Sequence, residues 1–285
     1  MRSDKQSPQG ILGSLSAAVK RLRHNPNILA GALVVTLLSG VIALLGFVNP
    51  IVANLSSIFW VFVWPFLIAG LLGVIFEART ERAQLTTLIS SGKSHYLSML
   101  GATLLFVVVI FGIVFLSFIL TFILLIGAVI GSAEGLLGGG LSLLLLVAIV
   151  PLFVLPYILV YMFFQFYDTG IVVGGKSATS SITHSFGLVR QNFLSVFGYT
   201  IIFFLIQAVG YGPGYALLFL GGAEITEAGQ WVITSGPLFV VGSLLTLIFG
   251  TLAMALAFTY HVTFYESISS DTGIQESTNG DDMTA

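Results

Sequence analysis

Residues 97–130 read LSMLGATLLFVVVIFGIVFLSFILTFILLIGAVI, an apolar run that no charged residue interrupts. Its 34 residues would form about 50 Å of helix, whereas the hydrocarbon core of a bilayer is about 30 Å thick. The run is therefore long enough to cross a membrane and too long for one straight crossing. We expect the helix to end before the run does.

Five further apolar stretches accompany this run. Of the 285 residues, 56% are hydrophobic and only 8% are charged, and the mean hydropathy is +1.05. Soluble domains carry roughly 25% charged residues, so the bilayer is the expected solvent of this chain. We predict an all-α integral membrane protein with six transmembrane helices. They lie at about 28–48, 55–76, from 97, within 141–167, from 193, and up to 265.

All ten Lys and Arg residues fall on one side of these six stretches. This distribution follows the positive-inside rule and predicts a multi-pass protein of the cytoplasmic membrane with both termini in the cytoplasm. Residues 1–10 are expected to be a polar tail that precedes an uncleaved first helix. The bases are Arg2, Lys5, Lys20, Arg21, Arg23, Arg79, Arg82, Lys93, Lys176 and Arg190.

An internal repeat organises the spans. The segments 19–29 (VKRLRHNPNIL), 89–100 (ISSGKSHYLSML) and 186–197 (FGLVRQNFLSVF) share a basic residue followed by a polar pair and a span. The aligned basic residues, here called the anchor bases, are Arg23, Lys93 and Arg190. The closing acids, which follow an aromatic residue at the end of each hairpin, are Glu77, Asp168 and Glu266. We predict one membrane domain, 11–268, of three hairpin repeats at about 11–77, 83–168 and 180–266.

The first repeat has almost no outer loop and therefore sets the expected span lengths in the other two. It places the third span at 98–118 and the fourth at 146–167. The remaining residues, 119–145 and 216–243, would form outer insertions, either as helix extensions, as re-entrant segments or as caps. We also expect residues 210–214 to interrupt the fifth span and residues 269–285 to be a disordered acidic tail.

Each repeat opens with a candidate interfacial amphipathic helix. In the first, apolar residues recur at helical spacing over 11–22, and Lys20, Arg21 and Arg23 gather at the end nearest the membrane. These three bases are candidate contacts for anionic lipid headgroups or for a membrane protein partner. The alternative is that they only anchor the topology.

The closing acids lie where the helix dipole disfavours negative charge, so a nearby cation is expected. We predict that they pair with the anchor bases in an inner charge belt, across repeats. The alternative is that the acids face water.

Several patterns resemble catalytic or binding motifs. GIVVGGKS at 170–177 fits the phosphate-loop expression, but that loop requires a preceding buried strand, and here it follows a membrane helix. Cysteine is absent, and the histidines lack metal-ligand spacing, so we expect them to be interfacial polar residues. No charged residue lies deep in a span, which disfavours ion-coupled transport. We predict no catalytic residue, cofactor, metal or nucleic-acid partner. The histidines are His24, His95, His184 and His261.

Three segments carry a family resemblance. ITHSFGLVRQNFLSVFGY at 182–199, QFYD at 165–168 and GKSHYLSML at 92–100 resemble uncharacterised multi-pass membrane proteins of haloarchaea. They are similar, more distantly, to the membrane domain attached to glycerophosphoryl diester phosphodiesterases. The resemblance implies an all-helical fold in a prokaryotic membrane. It brings no catalytic residue, because it does not extend to the phosphodiesterase's soluble catalytic domain.

The sequence favours a non-enzymatic accessory or scaffolding role that works through helix and lipid contacts. A permease or channel for a small or lipid-like solute is the alternative, and an intramembrane enzyme is third. The enzyme would need His, Asp or Glu side chains that converge within about 3 Å.

Overall fold

The structure is a computed structural model and describes residues 10–48, 50–133, 154–225 and 231–271. The expected tail at 1–10 and most of the one at 269–285 lie outside these ranges, as do residues 134–145 of the first outer insertion. The helices are α1 (Ile11–His24), α2 (Pro26–Val48), α3 (Pro50–Glu77), α4 (Thr86–Ala133), α5 (154–164), α6 (Tyr167–Val172), α7 (Ala178–Gln191), α8 (Phe193–Leu217) and α9 (Gly236–Asp271).

Six helical stretches in the described residues are long and apolar enough to cross a membrane. The prediction of a helical membrane protein with six candidate spans is therefore confirmed. The stretches are Pro26–Leu44, Trp60–Glu77, Thr86–Ile123, Val154–Val172, Phe193–Leu220 and Gly236–Ser270. Because they alternate in direction, α2, α4 and α8 begin at the same end of the bundle, which we call the basic end.

The third span is longer than the repeat predicted. Helix α4 continues without a break from Thr86 to Ala133, and its 48 residues correspond to about 72 Å. The expectation that the helix ends before the apolar run does is therefore wrong, and residues 119–133 of the first insertion take one of the three forms expected for it, a helix extension. The expected second interfacial helix is also not separate, since it forms the first turns of α4. No proline or asparagine stands in these turns to interrupt them.

The fifth span is not interrupted at residues 210–214. Helix α8 runs through Gly210 and Gly214, with Pro213 inside it. These glycines permit close packing on α9: a Cβ atom at Gly210 would meet Ala253, and one at Gly214 would lie 2.7 Å from the carbonyl oxygen of Gly242. The glycines that predicted a break in the helix instead form a close contact between α8 and α9.

The second outer insertion, expected to be a helix extension, a re-entrant segment or a cap, contains two short strands in its described part. A π-helical turn, Leu218–Gly222, follows α8. It leads into a two-stranded antiparallel hairpin of β1 (Ala223–Ile225) and β2 (Trp231–Ile233). At the other end of the chain, α9 extends to Asp271, so residues 269–271 of the expected disordered tail are helical.

The junctions that precede α2 and α8 are built alike. Asn25 separates α1 from α2, Asn192 separates α7 from α8, and each side-chain amide donates to the carbonyl four residues earlier. His95, at the aligned position, places Nδ1 3.0 Å from the carbonyl oxygen of Ser91, also four residues earlier. The three aligned positions thus make the same kind of contact, although only the two asparagines end a helix.

The fourth span breaks near the basic end. A turn at Gln165 and Phe166 separates α5 from α6, which frees backbone groups from the helical ladder. Ser185 of α7 satisfies two of them: its hydroxyl donates to the carbonyl of Phe163 at 2.9 Å and accepts from the N–H of Phe166 at 3.2 Å. Helix α7 therefore holds the break in place.

The tightly packed core lies towards the basic end. One cluster joins α2, α3, α4 and α9, where Leu71, Leu72 and Ile75 are fully buried. A second cluster joins α1, α5, α7, α8 and α9 around Phe166 and Phe264. Away from this end the helices expose large apolar side chains, as a lipid-covered surface requires.

Candidate functional site

The closing acids have partners other than the anchor bases. Glu77 accepts from the backbone N–H of Gln84 at 2.9 Å and from the hydroxyl of Thr87 at 2.6 Å, which ties the end of α3 to the start of α4. Asp168 contacts His261, and Glu266 contacts Arg21. In the part of the chain that the structure describes, the predicted pairing with the anchor bases is not what these acids form.

The position of Asp168 explains part of this difference. The fourth span breaks just before Asp168, between α5 and α6. Asp168 therefore lies in the first turn of a helix and not at the C-terminal end of one. A helix N-terminus favours a negative charge, so this acid does not need the cation that the sequence analysis assigned to it. Its Oδ1 accepts from the backbone N–H of Thr169 at 2.6 Å.

Glu266 docks α1 on α9. Its Oε2 accepts from Arg21 Nη2 at 2.8 Å, and the two side chains are only 21% and 13% exposed. Arg79, whose guanidinium lies over the Phe76 ring, approaches the other carboxylate oxygen at 3.9 Å. Along the same interface the Thr263 hydroxyl donates to the Ser14 carbonyl at 3.0 Å. Arg21, predicted as a lipid-headgroup contact, is therefore an interhelical residue.

His261 is the centre of a buried hydrogen-bonded cluster. Its Nε2 lies 2.9 Å from Oδ1 of Asp168, and its Nδ1 lies 2.5 Å from the hydroxyl of Tyr199. His261 is 4% exposed and Tyr199 is 1% exposed. The prediction that His261 is an interfacial polar residue is wrong, because α5, α6, α8 and α9 enclose it. The Phe166 ring stacks on the imidazole with centroids 5.1 Å apart.

The hydrogen bonds assign the roles of the two imidazole nitrogens. A carboxylate only accepts, so Nε2 carries the proton donated to Asp168, and when the imidazole is neutral its Nδ1 accepts from the phenol of Tyr199. The order of hydroxyl, imidazole and carboxylate is that of an acyl-transfer triad. The hydroxyl here belongs to a buried tyrosine whose ring stacks on Phe264 at 4.5 Å, so substrate has no access to it. The cluster joins α6, α8 and α9 and positions them.

The anchor bases and Lys20 form an exposed rim. Lys20, Arg23, Lys93 and Arg190 are all exposed, and they lie near the starts of α2, α4 and α8. We call these four residues the basic rim. The closing acids are engaged elsewhere and do not neutralise it. The rim thus presents positive charge at the basic end of the bundle.

The remaining candidate motifs make other contacts. Within the described ranges, no three His, Cys, Asp or Glu side chains converge as metal ligands would. His24 is exposed, and His184 Nε2 lies 3.2 Å from the Tyr265 hydroxyl. The phosphate-loop-like segment is divided between the end of α6, a turn with Gly175 at φ +62°, and Ser177, which caps α7. No strand precedes it among the described residues.

Sequence reasoning missed Tyr199 altogether. It lies nine residues after the anchor base Arg190, inside an apolar span where a tyrosine is common. The one available signal was His261, a titratable residue surrounded by apolar residues near the end of the sixth span. A buried imidazole needs a partner for each nitrogen, and that requirement predicts a hydroxyl and an acid close by.

Residues 10–268 match the family described as a domain of unknown function, DUF7847, and the chain belongs to this family. Comparisons with curated proteins and with solved structures found no match.

Proposed function

We propose that this protein is a non-enzymatic accessory or scaffolding protein of the cytoplasmic membrane, which acts through lipid headgroups and a membrane partner at its basic end. The observation that supports this role is the basic rim, whose bases are exposed while the closing acids are engaged elsewhere. The buried core behind the rim gives it a fixed scaffold.

The energetics favour an anionic membrane surface as the binding partner. Each Lys or Arg near an anionic leaflet contributes about 1 kcal/mol of attraction. Lys20 and Arg23 lie near the end of α1, and Lys93 and Arg190 lie near the starts of two separate spans. The charge is therefore spread around the bundle. Such a surface gathers several headgroups and leaves the packed helices free to hold a partner protein.

The proposed role requires the basic end to face the cytoplasm. The chain has no cysteine, so a single introduced cysteine reports its own side of the membrane. Ser90→Cys and Thr183→Cys occupy exposed positions at the basic end, and Thr234→Cys lies at the other end. A membrane-impermeant maleimide should label the first two only in inside-out vesicles and the third only in right-side-out vesicles. The reverse pattern would reject the orientation.

Native purification in mild detergent tests the role itself. We expect anionic phospholipid and a membrane protein to copurify, and the triple variant Lys20→Gln, Arg23→Gln and Arg190→Gln to retain several-fold less anionic lipid. Glu81→Gln, a change of one exposed charge at the same end, should retain the wild-type amount. If the triple variant retains as much anionic lipid as the wild type, the proposal is rejected. Solute flux through reconstituted protein would favour the permease instead.

A further inference from the structure

A groove of about 450 Å³ lies between α3 and α4 and opens to the outside of the bundle. Phe62, Val63 and Phe66 of α3 form one wall, and Lys93 and Tyr96 of α4 form the other. Its volume is within the range of small-molecule binding sites, about 300–1,000 Å³. The walls are apolar except for one cation and one phenol.

The packing of the two helices explains why the groove is there. On the side nearer the basic end they touch closely: a Cβ at Gly92 would lie 2.9 Å from the Phe66 ring, and the Ser91 hydroxyl donates to the Ala69 carbonyl at 2.8 Å. One turn further along, the Phe66 and Tyr96 rings meet edge to face with centroids 6.4 Å apart. The rings hold the helices apart, and the groove opens beside them.

The position of Lys93 matches that of a lipid phosphate. It lies seven residues into α4, about 10 Å from the start of the helix, and it is exposed. A lysine near the end of a membrane helix extends its ammonium group towards the headgroup layer. Tyr96 follows at i+3 on the same face, so its phenol can donate to the same phosphate.

The apolar wall fits an acyl chain. Phe62 is 44% exposed and lies one turn from Phe66 along α3, in the direction away from the basic end. A hydrocarbon chain that begins at Lys93 and runs along α3 would pass over both rings. Among the residues that the structure describes, no carboxylate lines the groove, so the charge on Lys93 remains available to an anion.

We propose that this groove binds one anionic phospholipid, with its phosphate on Lys93 and Tyr96 and an acyl chain against Phe62 and Phe66. Charge complementarity selects this occupant: a single cation at the end of an apolar groove, on a surface that lipid surrounds, matches a molecule with one phosphate and a hydrocarbon tail. The inference deepens the proposed function and relies on the orientation given there. It adds a defined site to the diffuse charge of the basic rim.

The chain contains its own reporters for this site. Trp60 and Trp64 lie on α3 within one turn of the groove residue Phe62, with ring centroids 5.2 Å apart. Trp231 is the third and last tryptophan of the sequence, and Trp231→Phe removes its fluorescence. Phospholipids with brominated acyl chains quench a tryptophan at short range, so an acyl chain against Phe62 does not have to touch either indole ring to quench it. Quenching in reconstituted vesicles therefore measures the occupancy of the groove by lipids of chosen headgroup.

The headgroup test compares brominated phosphatidylglycerol with brominated phosphatidylcholine. In the Trp231→Phe protein we expect an apparent affinity about fivefold higher for the anionic lipid, since one lysine contributes about 1 kcal/mol. Adding Lys93→Gln should abolish this preference, so that the two lipids have about equal apparent affinities. Adding Arg82→Gln, which removes an exposed base outside both the groove and the basic rim, should leave it unchanged. A preference that survives Lys93→Gln overturns the proposal.

The acyl-chain test uses native mass spectrometry. Phe62→Ala should retain one phospholipid fewer than the wild type, whereas Phe111→Ala, at a 70% exposed position of α4 outside the groove, should retain the same number. Both side chains are exposed, so neither change removes core packing. If both variants retain the wild-type number, or if Phe62→Ala changes only self-association of the chain, the site is not a lipid site.

The two proposals fail in different ways. The triple rim variant keeps Lys93, and Lys93→Gln keeps the other three rim bases. If the rim variant loses anionic lipid while Lys93→Gln keeps its headgroup preference, only the groove is rejected. If Lys93→Gln loses that preference while the rim variant keeps its lipid, only the wider role is rejected.

Discussion

Arg21 and Glu266 are 245 residues apart in the chain and join its first and last helices through a hydrogen-bonded ion pair of 2.8 Å. The pair is mostly shielded from solvent, and it lies on an interface where α1 also contacts Thr263 and Ser267. It closes the bundle at the basic end, because α1 bridges α9 to the start of α2.

Glu266→Gln should therefore destabilise the protein. A hydrogen bond to a charged group contributes about 1.5–3 kcal/mol, and the substitution leaves the Arg21 guanidinium partly buried beside a neutral amide. We expect a lower midpoint of thermal unfolding in detergent and faster hydrogen exchange in α1. Glu81→Gln removes an exposed acid nearby and should change neither. Additivity of Arg21→Gln and Glu266→Gln in a double-mutant cycle would show that the pair contributes nothing.

Tyr199→Phe tests the buried cluster. Losing the hydroxyl leaves Nδ1 of His261 without its partner in a site that water does not reach, which costs about 1–3 kcal/mol. The measurement is the free energy of unfolding of the solubilised protein. Tyr157→Phe makes the same chemical change at a tyrosine that is 49% exposed, and it should be close to neutral.

Asp168 provides a second test of the same cluster. Asp168→Asn keeps an oxygen that can accept from Nε2 of His261, whereas Asp168→Ala removes the acceptor. We expect the alanine variant to be the less stable of the two in the same unfolding assay. Equal stability of the two variants would mean that the hydrogen bond to His261 does not hold α6 in place.

Ser185→Ala should weaken the break in the fourth span. The hydroxyl satisfies a carbonyl and an N–H that the turn at Gln165 and Phe166 releases, and unsatisfied buried groups cost about 1–3 kcal/mol. Thr183→Ala is the matched control on the same helix, since its exposed hydroxyl bonds only to carbonyls of α7. A thermal midpoint equal to that of the control would contradict this role for Ser185.

Gly70→Ala tests the close contact of α3 and α4. A Cβ atom there would overlap the backbone carbonyl oxygen of Leu88, which cannot move aside as a flexible side chain would. Overpacking of this kind costs about 1–3 kcal/mol. Gly187→Ala meets nothing within 4 Å and should stabilise α7 by about 0.5–1 kcal/mol. Opposite shifts of the two thermal midpoints are the expected result.

The sequence was sufficient for the parts of this fold that hydrophobicity determines. Six apolar stretches predicted the six candidate spans, because the bilayer requires long uncharged helices whatever their packing. The two asparagine junctions could also be located, since Asn25 precedes a proline and Asn192 occupies the aligned position. The three hairpin repeats remain a prediction, which the shared contact of Asn25, Asn192 and His95 supports.

Packing determined what the sequence did not predict. Glycines at 210 and 214 are compatible with a helix break or with close helix contact, and only the presence of α9 decides between them. His261 contacts Asp168, which lies 93 residues earlier in the chain. Their contact depends on a break in the fourth span, and no local sequence pattern predicts that break. The ion pairs differed from prediction for the same reason: the neighbours of an acid are set by helix crossings, not by repeat alignment.

Helix α4 is unbroken over its 48 residues. Its first turns pack against Glu77 and Gly73 of α3, and its next turns line the groove between α3 and α4. Its far end extends beyond residue 118, where the repeat places the end of the third span. Its length of about 72 Å is more than twice the thickness of a bilayer's hydrocarbon core, about 30 Å. Membrane helices tilt by up to about 40°, and even at that tilt a straight helix of this length extends past the hydrocarbon core and the headgroup layers. In a bilayer, α4 therefore carries protein surface into the aqueous phase on at least one side.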